Sequence, residues 1–281
     1  FSIVVPAFQT PEKFLRQMIE SVLGQTFCRV ELILSDGSSD DSVEKIVSEY
    51  AATDTRIKYQ RLSENKGISE NTNEGLKMAT GEYIGLLDHD DILELYALYE
   101  MRMAIAGNPE ADVLYSDEDK VSFDLTTYFE PHLKPDFNPD LLRSNNYICH
   151  FLVFKRDLLE QVGGFRTEYD GAQDFDLVLR LTEKAKCVVH IPKVLYHWRS
   201  HEASTATNPM SKLYAYEAGK RAVEDHLKRC GEEGIVTDTR FYGSYQTTYK
   251  VPGQMSVDLA FSSCKGQNTK KILNNFSADF D

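Results

Sequence analysis

Short, almost continuous apolar runs alternate along the first half of the chain with longer stretches whose apolar residues return every three or four positions. Ile3 to Val5 has the character of a buried strand. Phe14, Met18, Ile19 and Val22 then fall on one face of a predicted helix from Lys13 to Leu23. A strand from Val30 to Leu34 and a helix from Ser42 to Tyr50 follow, with Ser39-Asp40-Asp41 as the capping region. The rhythm repeats through a strand from Ile57 to Tyr59, a helix from Ser69 to Met78 and a strand from Tyr83 to Leu87. It ends with a helix from Glu94 to Ala106 and a strand from Val113 to Tyr115. Strands alternating with helices predict an α/β fold in which helices cover a mostly parallel sheet.

Beyond residue 120 the alternation stops. Residues 120–146 carry aromatics, Pro131, Pro135 and Pro139 with little periodicity, as expected of an excursion over a site. A strand from Ile148 to Phe154, a helix from Asp174 to Glu183, and strands over 188–191 and 194–198 come next. A helix from Leu213 to Lys228 ends near Gly231, and the pattern after Gly234 is weaker and strand-like. The expected division is one domain over 1–232 and a C-terminal extension over 233–281, a linker into a further domain. A run beginning at Met255 loosely echoes residues 1–8, and the chain starts directly in a strand without an initiator Met, as a piece of a longer protein would.

Composition narrows the class. Apolar residues at 42% and charged residues at 27% suit a core-forming globular chain, and a net charge of −13 argues against wrapping nucleic acid. No apolar run approaches a membrane span and no signal peptide is visible. Five scattered cysteines, without CxxC spacing, fit a reduced, cytoplasmic compartment.

The chemistry concentrates at strand ends, where open α/β sheets bind ligands. Asp88-His89-Asp90-Asp91 crowds carboxylates after an apolar strand; like charges this close raise one another's pKa unless a cation such as Mg²⁺ or Mn²⁺ neutralises them. A solvated acidic turn capping the next helix is the alternative, and Asp91 suits it. Asp36-Gly37-Ser38 follows the second strand and is either a base- or ribose-binding turn or a plain turn with a helix cap. Asn65-Lys66-Gly67 precedes a helix start, which favours phosphate. Gly163-Gly164-Phe165 and then Gln173-Asp174 combine glycines with a carboxylate that either accepts a proton or serves as a helix-start charge. His197-Trp198-Arg199-Ser200-His201 offers a metal ligand and an aromatic for sugar stacking, or structural histidines.

In this order the motifs resemble the family-2 glycosyltransferases of the GT-A fold over roughly residues 1–205. Val4-Val5-Pro6-Ala7-Phe8 resembles the opening strand and donor loop, Asp36 to Asp40 the base-binding turn, and Asn65 to Ser69 with Asn73 and Gly75 the stretch that leads to the DxD strand. Asp88-His89-Asp90 matches the DxD, and Tyr196 to His201 resembles the late Tyr-x-x-Arg-x-His run. The resemblance implies an inverting hexosyltransferase that carries a sugar from a nucleotide-diphosphate sugar, a UDP-sugar first, to a carbohydrate acceptor. It assigns Asp174 as base, and Asp90 and His201 to a divalent cation (Mn²⁺ or Mg²⁺). It assigns Pro6, Phe8, Asp36, Ser38, Lys66, Gly67, Asp88 and His89 to the donor. Asp117, Gly164, Gln173 and Trp198 are the candidates for acceptor or sugar. Two departures stand out: Thr72 replaces a usual Arg, and Gln173-Asp174 replaces Glu-Asp. The stretch from Tyr115 to Lys120, with Pro131 to Asp136, resembles the branch that builds bacterial surface polysaccharides, where several transferase domains share one chain. A lipid-linked or surface acceptor would bring such an enzyme to the membrane periphery. A phosphohydrolase would use Asp88 as nucleophile, yet it expects a Thr two places after the second Asp, where Ile92 stands. A non-catalytic carbohydrate-binding domain has no need of Asp88, Asp90 and Asp174 together.

Overall fold

The computed structural model describes residues 1–200 and 213–250. His201, the expected metal ligand, and the run from Met255 lie outside the described residues. The chain divides into two units, Phe1–Tyr249 and Lys250–Asp281, and the first is described here.

Strands β1 (Ser2–Ala7), β2 (Glu31–Asp36), β3 (Ile57–Arg61) and β4 (Tyr83–Leu86) are joined by helices α1 (Glu12–Leu23), α2 (Ser42–Ala51) and α3 (Ile68–Lys77). They form a parallel block in the order β3-β2-β1-β4. Successive side chains of β1 point to opposite faces: Ile3 and Val5 pack with α1, α2 and α4 (Ala97–Gly107), while Val4 packs with the opposite layer. Both faces are covered, so β1 is buried throughout, as its apolar run predicts.

The second half completes the sheet differently. β5 (Ile92–Leu93), β6 (Val113–Ser122), β7 (Tyr128–His132), β8 (Leu152–Lys155) and β9 (Val188–Ser200) extend it beyond β4. Here β8 inserts antiparallel between β4 and β6, and β6 runs parallel to β9 along ten residue pairs. The two strands expected over 188–198 are one, because the ladder shifts register between Ser116 and Asp117 and lets Pro192-Lys193 bulge out without ending it. The strand expected from Ile148 starts only at Leu152, which leaves residues 148–151 as irregular backbone, with Ile148 and Phe151 in the core and Cys149 and His150 turned to the site. Helices α5 (Pro139–Leu142), α6 (Arg156–Val162), α7 (Gln173–Lys184) and α8 (Leu213–Cys230) follow in chain order. A hairpin of β10 (Gly234–Asp238) and β11 (Tyr245–Tyr249) packs on α8, with the Tyr245 hydroxyl donating to the Tyr216 carbonyl. Among the described residues no helix is long and apolar enough to cross a membrane.

Candidate active site

β4 delivers the acidic turn. Asp91 is 1% exposed and fully engaged: one oxygen accepts the Arg199 amide N–H at 2.7 Å and the other the Tyr196 hydroxyl. Burial first, and then Asp90 and Asp88, push its carboxyl well up. It ties the turn to β9 from a buried position, and it is neither solvated nor the cap of the next helix, contrary to the acidic-turn alternative. Arg199 is fully buried and completes the brace, donating Nε to the Asp90 carbonyl and Nη1 to Gln17 and Phe123, over the Phe14 ring at 4.4 Å. The Tyr-x-x-Arg run thus pins the turn from behind and leaves Asp88 open on its other side. Asp88 meets solvent along a cavity but is walled by protein elsewhere. Desolvation, and then the Asp90 charge against the opposing pull of His150, raises its carboxyl.

That cavity, about 610 Å³, is where the predicted chemistry converges. Pro6 from β1, Asp88 after β4, Gln173 and Asp174 from the first turn of α7, and Trp198 from β9 all line it. The Asn146 side-chain amide donates to Asp174 Oδ2 at 2.8 Å, and the Cys149 thiol lies 3.8 Å from the same oxygen. His89 pairs with Thr10 at 2.9 Å.

Other predicted residues lie around this centre without lining it. Asp36 is fully buried and accepts the Ser38 amide at 2.8 Å and the Tyr59 hydroxyl at 2.7 Å, so its carboxylate shapes the turn. The Ser38 hydroxyl accepts the Gln9 amide, next to an exposed Phe8. A Cβ on Gly37 would come within 2.7 Å of Asn71, so the base-turn and the Asn65-Lys66-Gly67 loop abut, and the glycine permits it. Lys66 is half exposed, 3.8 Å from Glu64, two residues before the cavity-lining Ile68. Gly164 makes room for Asn73: a Cβ there would meet the Asn73 side chain, which bonds both the N–H and the C=O of Phe165. Asp117 is 3% exposed and accepts from His190 and from the Lys134 amide. His197 is held between Asp119 and Glu94. Glu183, His226 and Cys230 lie close enough to hold a metal ion, but Arg229 and Arg143 already bond this group.

Asp176, two residues past Asp174, has no exposure at all. It is clamped by Arg166 and by Arg180, whose Nε and Nη2 reach it at 2.9 and 2.8 Å. Removing one side of a buried, hydrogen-bonded ion pair costs about 3–5 kcal/mol. Asp176→Asn is therefore expected to lower unfolding stability by that order in a urea titration; an unchanged midpoint would show that the clamp is dispensable.

Sequence reasoning missed several residues that line the cavity. Tyr214 and Tyr216 come from the start of α8, and Cys149 and His150 from the irregular segment before β8. For His150 a signal existed, since it interrupts an otherwise apolar run from Tyr147 to Phe154.

Comparison with known proteins gives a consistent picture. The chain matches the profile of glycosyl transferase family 2 over residues 2–163, more than half its length. It is 42% identical over 237 residues to an uncharacterised protein, y4gI, of Sinorhizobium fredii, covering 83% of this chain and 26% of that one. It is 38% identical over 260 residues to the O-antigen biosynthesis protein RfbC of Myxococcus xanthus, covering 92% and 20%. With the chondroitin synthase of Escherichia coli the identity is 28% over 245 residues, covering 82% and 33%. The chain thus spans a third or less of these relatives' lengths. The crystal structure of S. aureus TarS 1-349 in complex with UDP-GlcNAc superposes with a TM-score of 0.65 at 20% identity, over 81% of this chain and 66% of that one, and it shares the GT-A fold.

Proposed function

The chain belongs to glycosyl transferase family 2, and from that premise we propose that it transfers a sugar from a UDP-sugar to a carbohydrate acceptor with inversion, in the synthesis of a cell-surface polysaccharide. One observation carries this reading: the first carboxylate of the DxD turn and the first-turn carboxylate of α7 open onto a single cavity. TarS was solved with UDP-GlcNAc and with UDP, and the relatives' names refer to O-antigen and chondroitin, which supports the donor and the product class. The reading keeps the enzyme in the cytoplasm, drawn to the membrane periphery by a lipid-linked or surface acceptor. The unmatched length of the relatives is consistent with further transferase domains on the same chain.

Asp88 and Asp90 present the hard oxygen donors that a Mn²⁺ or Mg²⁺ ion prefers, and desolvation, with Asp90 adding to it, pushes the Asp88 carboxyl up, which a bound cation would reverse by favouring the ionised form. Asp90 and Asp88 would hold it, with His201 as the third ligand this reading assigns. When bound, the ion supplies charge stabilisation to the departing diphosphate. The rest falls to the protein's own groups. The Asp36–Ser38 turn and Pro6 receive the base, and Lys66 the phosphates. Asp174, oriented by Asn146, takes the proton of the acceptor hydroxyl as that oxygen attacks the anomeric carbon.

A donor panel tests the reading. With Mn²⁺ present, nucleotide release is expected to be fastest from a UDP-sugar, with a dTDP-sugar second because the same base edge is presented. Turnover of a GDP- or CDP-sugar alone would overturn the donor, and release from none would overturn the reaction.

A further inference from the structure

Among the described residues, the cavity is lined by one basic side chain that the family motifs leave without a role. His150 lines it from the irregular segment before β8, and its side chain is 22% exposed. Its Nδ1 lies 2.8 Å from Glu118 Oε2. Glu118 is 8% exposed and also meets His132 at 3.1 Å and the buried Lys134 ammonium at 3.6 Å. Burial pushes the Glu118 carboxyl up, but these three basic neighbours outweigh it and hold the group well below the ordinary carboxylate range. An ionised carboxylate only accepts, so Nδ1 carries the hydrogen and donates. The ring lies flat on Tyr196, with centroids 4.6 Å apart and 13° between planes, and Tyr196 is itself tied to Asp91. Nε2 is the ring atom left for the cavity, beside the Cys149 sulfur at 3.5 Å.

Burial works against a charge on His150, and Cys149 and Glu118 outweigh it, so the imidazole holds its proton well above the ordinary range. Cys149 is itself pushed up to about 11 by burial and stays a neutral thiol, which makes Glu118 the partner that matters near neutrality. Of the charges acting on Asp88, His150 is the foremost, and Asp174 shares the Cys149 contact. Among the described residues, however, no hydrogen bond joins His150 to either carboxylate. A donor held by Glu118 and Tyr196 thus faces the cavity that Asp88 and Asp174 also line.

Resting on the transfer reaction proposed above, we infer that His150 is a further catalytic residue whose Nε2–H donates to the diphosphate oxygen that leaves the sugar, and that Glu118 is its positioning residue. In the step, the acceptor oxygen bonds to the anomeric carbon and the bond from that carbon to the diphosphate oxygen breaks. The electron pair goes to that oxygen, the acceptor's proton goes to Asp174, and His150 keeps its proton while bonding to the new negative charge. A donor fixed in place before reaction costs no reorganisation when the charge appears.

The test compares UDP with UMP by calorimetry in one Mn²⁺ buffer, alongside kcat and KM with a UDP-sugar, for the wild type, His150→Gln and Glu118→Gln. Charge-assisted hydrogen bonds are about twice as strong as neutral ones. We expect His150→Gln to lose about 10-fold in UDP affinity with UMP affinity unmoved, and about 10²-fold in kcat. Glu118→Gln shifts the same two quantities in the same direction by less. A folded His150→Gln with an unchanged UDP-to-UMP ratio and unchanged kcat overturns the inference. If that variant does not fold, the same comparison on Glu118→Gln decides, and an unchanged ratio there overturns it equally. A wild type that prefers UDP, with both variants keeping that preference and the wild-type kcat, sinks only the role of His150. A wild type that binds UDP no better than UMP sinks the donor reading and the inference with it.

Discussion

Asp174→Asn is expected to fold, to bind UDP and metal like the wild type, and to transfer sugar about 10²- to 10⁴-fold more slowly, the usual worth of general-base assistance. The side chain lines the cavity from the first turn of α7, and Asn146 donates to one of its oxygens. Asparagine keeps the shape and removes the basicity. Its new amide must face the Asn146 amide or turn away from it, a local adjustment at a partly exposed site. The neighbouring carboxylate provides the contrast. Asp176 is clamped by two arginines inside the fold, so its loss should appear as instability, whereas loss of Asp174 should appear in kcat with the donor affinity retained. The measurement is single-turnover transfer beside a UDP titration. Near-normal turnover in Asp174→Asn would move the base elsewhere in the cavity.

Asp90→Asn should fail at an earlier stage. Its expected phenotype is a loss of UDP affinity of at least about 10-fold, with turnover falling in step, because a hard oxygen ligand to the cation is removed. The turn itself should survive. Arg199 holds Asp90 through its backbone carbonyl, and Asp91 separately anchors the turn to Tyr196 and to the Arg199 amide, so the side chain can change without releasing the loop. Chelation of the wild type should reproduce the same loss, and the variant should then show no further response to the chelator. Calorimetry with and without chelator checks both statements. Equal UDP affinity in all four conditions would remove the metal from the account.

The parts of this molecule that were legible in the sequence are those whose physics is local. The runs at residues 3–5 and 32–34 are buried on both faces, and the three-to-four spacing in α1 comes from one apolar stripe, so β1 to β4 and their helices could be read off directly. The Asp88 and Asp174 motifs were visible for the same reason: each sits at the end of a regular element. What escaped depends on partners far along the chain. β6 runs on to Ser122 through Asp117-Glu118-Asp119-Lys120, a stretch too charged to suggest a strand. Its carboxylates are satisfied by His190, His132, His150 and His197, which arrive from three other segments. The same pairing hides the role of His150, because a lone histidine in an apolar run gains meaning only when Glu118 is placed behind it. Gly164 suggests in the sequence a place where a ligand approaches the backbone, and a neighbour that its missing Cβ admits is the Asn73 side chain, from far along the chain.

The central claim is a direct displacement at the anomeric carbon with Asp174 as base, and the stereochemistry of the first product tests it without knowledge of the natural acceptor. Water serves as a slow acceptor when none is supplied. With an α-linked UDP-hexose, Mn²⁺ and enzyme in the NMR tube, the first sugar released should be the β anomer, appearing before mutarotation mixes the two forms. Release of the α anomer first would mean retention, and it would contradict a single displacement assisted by Asp174.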